Sequence, residues 1–395
     1  MKPKLVLFVG NGFTIGLSHH IGLSDVHDTT RLIPPPEWIL EASQSLSATA
    51  LPLWNNRRYP SLWAEWEKFS SSESMGWSPT SFQGFCANLS KNTSYELGPD
   101  PEGGPMMIAN SRDAGFQLRR YLWRLFYLYN FRLLYTVCPM FDGKAPPPDT
   151  LMHGLRESTL QWPIMNLLCT IAAQWELSIV SFNYDSYVEV LLTAHGYTPY
   201  PMADRCYDFI DKMPVDSFRV LHPHGSMSDF RPGVSGLGPA SFDDTFEDGI
   251  IFLITHDVSD YFPSRFIYPY QYPCPDYPDL VPPGHSSDHL MAKWSDYPKT
   301  IGRLVSEADV IGCLGFSSVP PDDTEFAIYV RKVKQSAKAF SIGLRDSSRE
   351  LRSQQILSKA VGSSSQEFFD ISEVEECERW LNFCFNESLF AEVEC

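Results

Sequence analysis

Three kinds of side chain in two short stretches could act together on a bound ligand. LSIVSFNYDSYVE, residues 177–189, carries Asn183 and Asp185 just past an apolar run, and VLHPHGS, residues 220–226, carries His222 and His224 just past another. A carboxamide such as that of Asn183 can accept a hydrogen bond and donate one at the same time, which suits it to holding a water against a ligand hydroxyl. An imidazole titrates close to neutrality, so His224 can take a proton from water or a hydroxyl and later return it. The carboxylate of Asp185 can stabilise developing positive charge, hold Asn183, bind a sugar hydroxyl or cap a following helix. Such a set suits the attack of one directed water on an electron-poor carbon. His222 and His224 stand two residues apart, so strand periodicity does not choose between them.

These groups do chemistry only if strands deliver them to one rim. Ile179, Val180 and Phe182 are β-prone, and the segment from about Asp185 to Gly196 has the apolar face and closing glycine of a helix. Phe218–Leu221 supplies a second strand. At the start of the chain KLVLFV, residues 4–9, reads as a strand covered on both faces, followed by GNGFTIG with Gly10, Gly12 and Gly16. Glycines at such a turn permit positive φ and let a pyrophosphate approach backbone N–H groups without meeting a Cβ. Further strands are expected at 250–255, 309–315, 339–344 and 368–371. Helices are expected at 38–46, 62–69, 116–137, 164–174, 286–307, 323–338, 350–360 and 373–388. The Tyr- and Pro-dense segment 263–283 cannot be a central strand, because proline lacks an amide donor.

Apolar strand, polar or glycine-rich loop, then helix is the recurring order, and it predicts an α/β fold with a mainly parallel Rossmann-like sheet flanked by helices. We read residues 1–330 as one core that includes an inserted helical region at about 35–165, with 331–395 completing or extending it. Ligands of such sheets bind outside the carboxyl ends of the strands.

The totals narrow the class. A net charge of −17, from 31 Lys plus Arg against 48 Asp plus Glu, argues against extended contacts with nucleic-acid backbone or with anionic membrane. Arg119, Arg120, Arg124 and Arg132 lie among aromatic residues in the 116–137 segment, where packing inside the fold or across a subunit interface is the expectation. Nine scattered cysteines without a CxxC pair suggest reduced thiols in a cytoplasmic protein and no zinc module. No metal is expected. His19, His20, His27, His153, His195, His256, His285 and His289 show no ligand spacing. No window approaches about 18 uninterrupted apolar residues, so a soluble chain is expected.

Four segments resemble, in order, those of the SIR2-like family, the sirtuin-related NAD-binding fold widespread in bacterial defence proteins. GNGFTIG is similar to its first glycine loop, SFNYDSYVE to its T-x-N-Y-D-x-x-x-E segment, LHPHGS to its L-H-G-S segment and IGCLGFSSVPPDD to its late strand and loop. The resemblance implies NAD as substrate and hydrolysis to nicotinamide and ADP-ribose, with Asn183, His224 and Asp185 at the reaction. Of the two histidines, His224 directly precedes Gly225-Ser226 and matches the family segment; His222 is held in reserve. Gly10, Asn11, Gly12 and Thr14 are then the expected phosphate and ribose contacts, and Gly315, Phe316, Ser317 and Asp323 the contacts on the adenosine side. The family further implies a homo-oligomer and regulation by a partner such as an ATPase or a nucleic-acid-guided protein during an antiphage response. Sirtuin-type deacetylation is disfavoured because the four zinc cysteines are missing. A catalytically silent subunit that binds NAD or ADP-ribose is the alternative from another class.

Overall fold

The structure, a computed structural model, describes residues 2–22, 60–73, 84–86, 88–89, 97–99, 105–107, 114–115, 117–118, 121–122, 137, 148–185, 187–199, 216–224, 297–316, 322–343, 347–361 and 366–370. Every residue of β1 (Lys4–Val9) after the lysine is apolar and buried, as a strand covered on both faces requires. It pairs in parallel with β4 (Glu176–Ser181) on one side and β7 (Val310–Leu314) on the other, with Val9 level with both Ser181 and Leu314. Beyond β4 lie β6 (Ser217–Leu221) and the two-residue β5 (Thr198–Pro199); beyond β7 lie β8 (Lys338–Gly343) and β9 (Gln366–Asp370). All pairings in this sheet are parallel. A separate antiparallel pair joins β2 (Leu97–Pro99) to β3 (Pro105–Met107).

With β5 set aside, the first strand lies in the middle, the next two run outward on one side and the last three on the other. That is the doubly wound order, whose winding reverses between β1 and β7. The two faces of the sheet bury different helices. Leu5, Leu7, Val9, Leu177 and Ile179 pack with α1 (Asn11–His20), α3 (Pro148–Thr159), α4 (Pro163–Gln174) and α5 (Tyr187–Ala194). Val6, Phe8, Val180, Ile311 and Cys313 pack with α6 (Tyr297–Glu307), α7 (Asp322–Val330) and α8 (Ser347–Val361). The remaining described helix, α2 (Pro60–Glu73), places Trp66 and Phe69 against Phe85.

Two predicted boundaries move. The helix expected to run to 338 ends at Val330, where the amides of Lys332 and Val333 turn back on the carbonyls of Tyr329 and Val330. These tighter bonds close its last turn, and the chain then turns so that Val333 and Ala337 reach the core before β8 begins. The glycine-rich loop is shorter still: only Gly10 separates β1 from α1, so Gly12 and Gly16 lie inside a helix. The segments at 38–46, 250–255, 263–283 and 373–388, and most of 116–137, lie outside the described residues.

The amino end of the sheet is fastened by ion pairs. Lys4 Nζ lies 2.6 Å from Glu307 Oε2, Lys334 Nζ 2.5 Å from Asp309 Oδ1 and Arg219 Nη1 2.8 Å from Glu176 Oε1. Among the described residues no helix is long and apolar enough to cross a membrane.

Candidate functional site

At the carboxyl end of the sheet, the segments after β1 and β7 meet backbone to backbone. Gly10 N donates to Leu314 O at 3.1 Å, and Gly12 N donates to Gly315 O at 2.9 Å. A Cβ on Gly12 would stand 2.7 Å from Gly315 Cα, and one on Gly10 would stand 2.7 Å from Gly315 O and Phe316 Cα. Gly315 alone of these has positive φ, at 56°. The glycines are therefore required by the approach of two protein segments. The sequence reading gave that room to a pyrophosphate; in the structure the backbone of Gly315 and Phe316 stands there. Of the first amides of α1, that of Gly12 is held by Gly315 and that of Phe13 by Gly10 O. Asn11, half-buried, heads the helix, whose positive end opens at this rim.

β4 stops at Ser181, and two residues later the buried Asn183 reaches back across the rim. Its Nδ2 donates to Gly10 O at 3.1 Å and to Thr14 Oγ1 at 3.2 Å. A carbonyl only accepts, so Gly10 O fixes which end of the carboxamide is nitrogen. Both amide hydrogens are engaged, which leaves Oδ1 as the accepting end of the group. The expectation that this group donates to a ligand is thus replaced: it can only accept from one. Thr14, buried one turn into α1, passes its own hydrogen to Asp185 Oδ2 at 2.6 Å, and Asp185 Oδ1 accepts from the Tyr187 amide at 3.2 Å. Asp185 therefore does two of the things expected of it: it caps α5, and through Thr14 it holds Asn183. Burial raises its carboxyl to about 6. The Thr14 hydroxyl and the Tyr187 amide pull it down, Glu189 pushes it up and His222 pulls it down.

The two histidines part company because β6 ends at Leu221 and both lie in the turn beyond it, where the two-residue repeat of a strand no longer applies. His222 turns toward α5. Its Nδ1 donates to the carbonyl oxygen of Asn183 at 3.2 Å, and its Nε2 meets Glu189 Oε1. His224 turns to the opposite face of the sheet, edge-on to Phe182 at 5.1 Å between ring centres, with Nε2 3.0 Å from Glu325 Oε2 on α7. Glu325 Oε1 accepts in turn from the buried Tyr329 hydroxyl at 3.0 Å. Burial, and then the neighbouring Glu325, raise the Tyr329 phenol, which stays a donor.

The fold thus gathers Gly10, Gly12, Thr14, Asn183, Asp185 and Gly315 into one hydrogen-bonded group and sets His224 across Phe182 from it. Phe316 turns its ring into the core, 4.9 Å from Phe182 and 4.8 Å from Phe326. Asp323 belongs to the first turn of α7, with its side chain outside the described set, and Ser317 lies outside the described residues, as do Gly225 and Ser226. The residues that sequence reasoning missed are Glu189 and Glu325. Glu189 closes the FNYDSYVE segment, six residues after Asn183 and on the helix that Asp185 caps, a spacing that could have marked it. Glu325 meets a histidine 101 residues away and carries no local signal. Among the described residues no group of three or more His, Cys, Asp or Glu is arranged to hold a metal ion.

No protein-family model matches the chain, and no curated protein matches it. The Rossmann-like architecture is consistent with nucleotide binding, and the site itself carries the rest of the argument.

Proposed function

We propose that this chain is an NAD glycohydrolase of the SIR2-like kind, which cleaves NAD to nicotinamide and ADP-ribose. The observation that carries the reading is the immobilised Asn183, whose Oδ1 is left as an acceptor at the strand ends, with Phe182 between it and the carboxylate-backed imidazole of His224. In this reading the ribose that bears nicotinamide lies across the end of β4. Asn183 Oδ1 accepts a hydrogen bond from a water and aims its oxygen at C1 of that ribose. The C1–N bond breaks, its electron pair goes to the pyridine nitrogen, and neutral nicotinamide leaves. The water oxygen bonds to C1, and its proton passes to the imidazole of His224. Glu325 stabilises the imidazolium that forms. His222 is unsuited to that step, because Nδ1 and Nε2 are both taken up by protein groups. The ordered SIR2-like segments support a role in NAD depletion during antiphage defence, as an oligomer controlled by a partner protein.

One observation favours a second reading, a subunit that binds NAD or ADP-ribose without cleaving it. The Gly12 and Phe13 amides, which a pyrophosphate would use at a glycine loop, are engaged within the protein. One experiment separates the two. The full chain is incubated with NAD, alone and with the product of its neighbouring gene, and nicotinamide and ADP-ribose are followed for wild type, Asn183→Ala and His224→Ala. Release lost in both folded variants supports the hydrolase. Saturable NAD binding without product under every condition favours the silent subunit.

A further inference from the structure

Asn183 is gripped twice, and only one grip involves its side chain. Its carboxamide is held by Gly10 and Thr14, while its backbone carbonyl receives Nδ1–H of His222. With Nδ1 donating, Nε2 of a neutral imidazole carries a lone pair. That lone pair faces an oxygen of Glu189, and two acceptors cannot hold such a contact without a hydrogen between them. One proton must therefore be shared, either on the carboxyl or on the imidazole, and in both forms the pair is neutral overall. Burial makes this proton obligatory: Glu189 is 2% exposed and His222 8% exposed. The second carboxyl oxygen, Oε2, is buried without a hydrogen-bond partner, so a lone carboxylate would have no other donor to offset its desolvation. Among the described residues the carboxyl of Asp185 also faces the pair, and burial and then Asp185 hold the Tyr187 phenol well above its usual range.

We propose that Glu189 and His222 are positioning residues that share a single proton and use it to fix the peptide carbonyl of Asn183, and so the aim of its carboxamide. Neither touches the reacting atoms. The pair acts from α5 and from the end of β6 upon the end of β4. The kinetic part of this inference rests on the NAD-cleaving reading; the structural part does not.

The test exploits a feature of the sequence. Asn183-Tyr184 is the only Asn-Tyr step in the chain, so protein carrying 13C-carbonyl asparagine and 15N tyrosine gives one carbonyl–amide correlation, that of Asn183. Histidine 15N spectra of the wild-type full chain should show His222 with hydrogen on Nδ1. Glu189→Gln replaces the shared proton with an amide hydrogen, and the Asn183 correlation should stay in place. Glu189→Ala removes the partner, and the correlation should move. With NAD, nicotinamide release should fall on the order of tenfold or more in kcat for Glu189→Ala with KM little changed, and recover to within a few-fold in Glu189→Gln. A His222 without hydrogen on Nδ1 in the wild type, or an Asn183 correlation unmoved in folded Glu189→Ala, overturns the inference. If Glu189→Ala does not fold, the wild-type tautomer and the Glu189→Gln correlation decide it. Spectra as expected with no NAD cleavage in the wild type leave the positioning intact and refute only the hydrolase reading.

Discussion

The two ends of the same seven strands are built by different rules. At the amino end, charged side chains meet in ion pairs, Lys4 with Glu307 and Lys334 with Asp309 on partly exposed ground and Arg219 with Glu176 more deeply buried. At the carboxyl end, the polar groups are buried, are linked in series and depend on backbones that touch. Exposed pairs contribute little and tolerate loss, whereas a buried chain of hydrogen bonds fails as a unit when one member goes. The difference marks the carboxyl end as the part of the molecule shaped for something besides stability.

The strongest way to break that contrast is Gly315→Ala. It puts a Cβ 2.6 Å from Phe13 N at a φ of 56°, so the cost should be about 3 kcal/mol or more, read from urea unfolding. A variant as stable as wild type would mean that the two segments are not in contact. Next in size, Asn183→Ala should lower nicotinamide release on the order of a hundredfold while costing only about 1–2 kcal/mol of stability, since it strips donors from Gly10 O and Thr14. Activity and stability falling together would make Asn183 a structural residue only.

Asp185→Asn sharpens the comparison through pH. The folded carboxyl sits at about 6, above its ordinary value of 3.8, so its contribution to stability is complete below about pH 4 and is lost as pH rises through about 6. Wild type should lose up to about 3 kcal/mol over that window from this group, and the asparagine variant should lack that part of the slope. Unfolding curves of the two proteins that run parallel from pH 4 to 8 would refute the burial argument. Smallest of all, Lys334→Ala at the amino end should cost less than about 1 kcal/mol and leave nicotinamide release unchanged.

What sequence could reveal followed the range over which each signal acts. Continuous apolar runs found β1, β4, β6, β7 and β8 within a residue or two, because a strand covered on both faces has little choice of composition. Turn and helix-end chemistry placed α4 behind Pro163 and ended α5 before Gly196, whose φ is 96°. The two-residue β5 has no such run and was not foreseen. At the site, Asn183 and Asp185 announced themselves at a strand end. Their partners did not, because the bond from Asn183 to Gly10 spans 173 residues and that from Thr14 to Asp185 spans 171. The glycines were recognised but the backbone beside them was not: local sequence says that a Cβ is forbidden and is silent on what occupies its place.

The seam where Gly10 and Gly12 meet Leu314 and Gly315 has a mechanical consequence. One residue joins β1 to α1, and the Gly315 amide is itself tied to Ile342 O in β8, so the ends of β1, β7 and β8 are fastened to one another at this point. A guest that settles against the head of α1 cannot push that helix aside without prising open the middle of the sheet. Whatever accommodation it needs has to come from side chains that swing, with the main chain serving as an anvil.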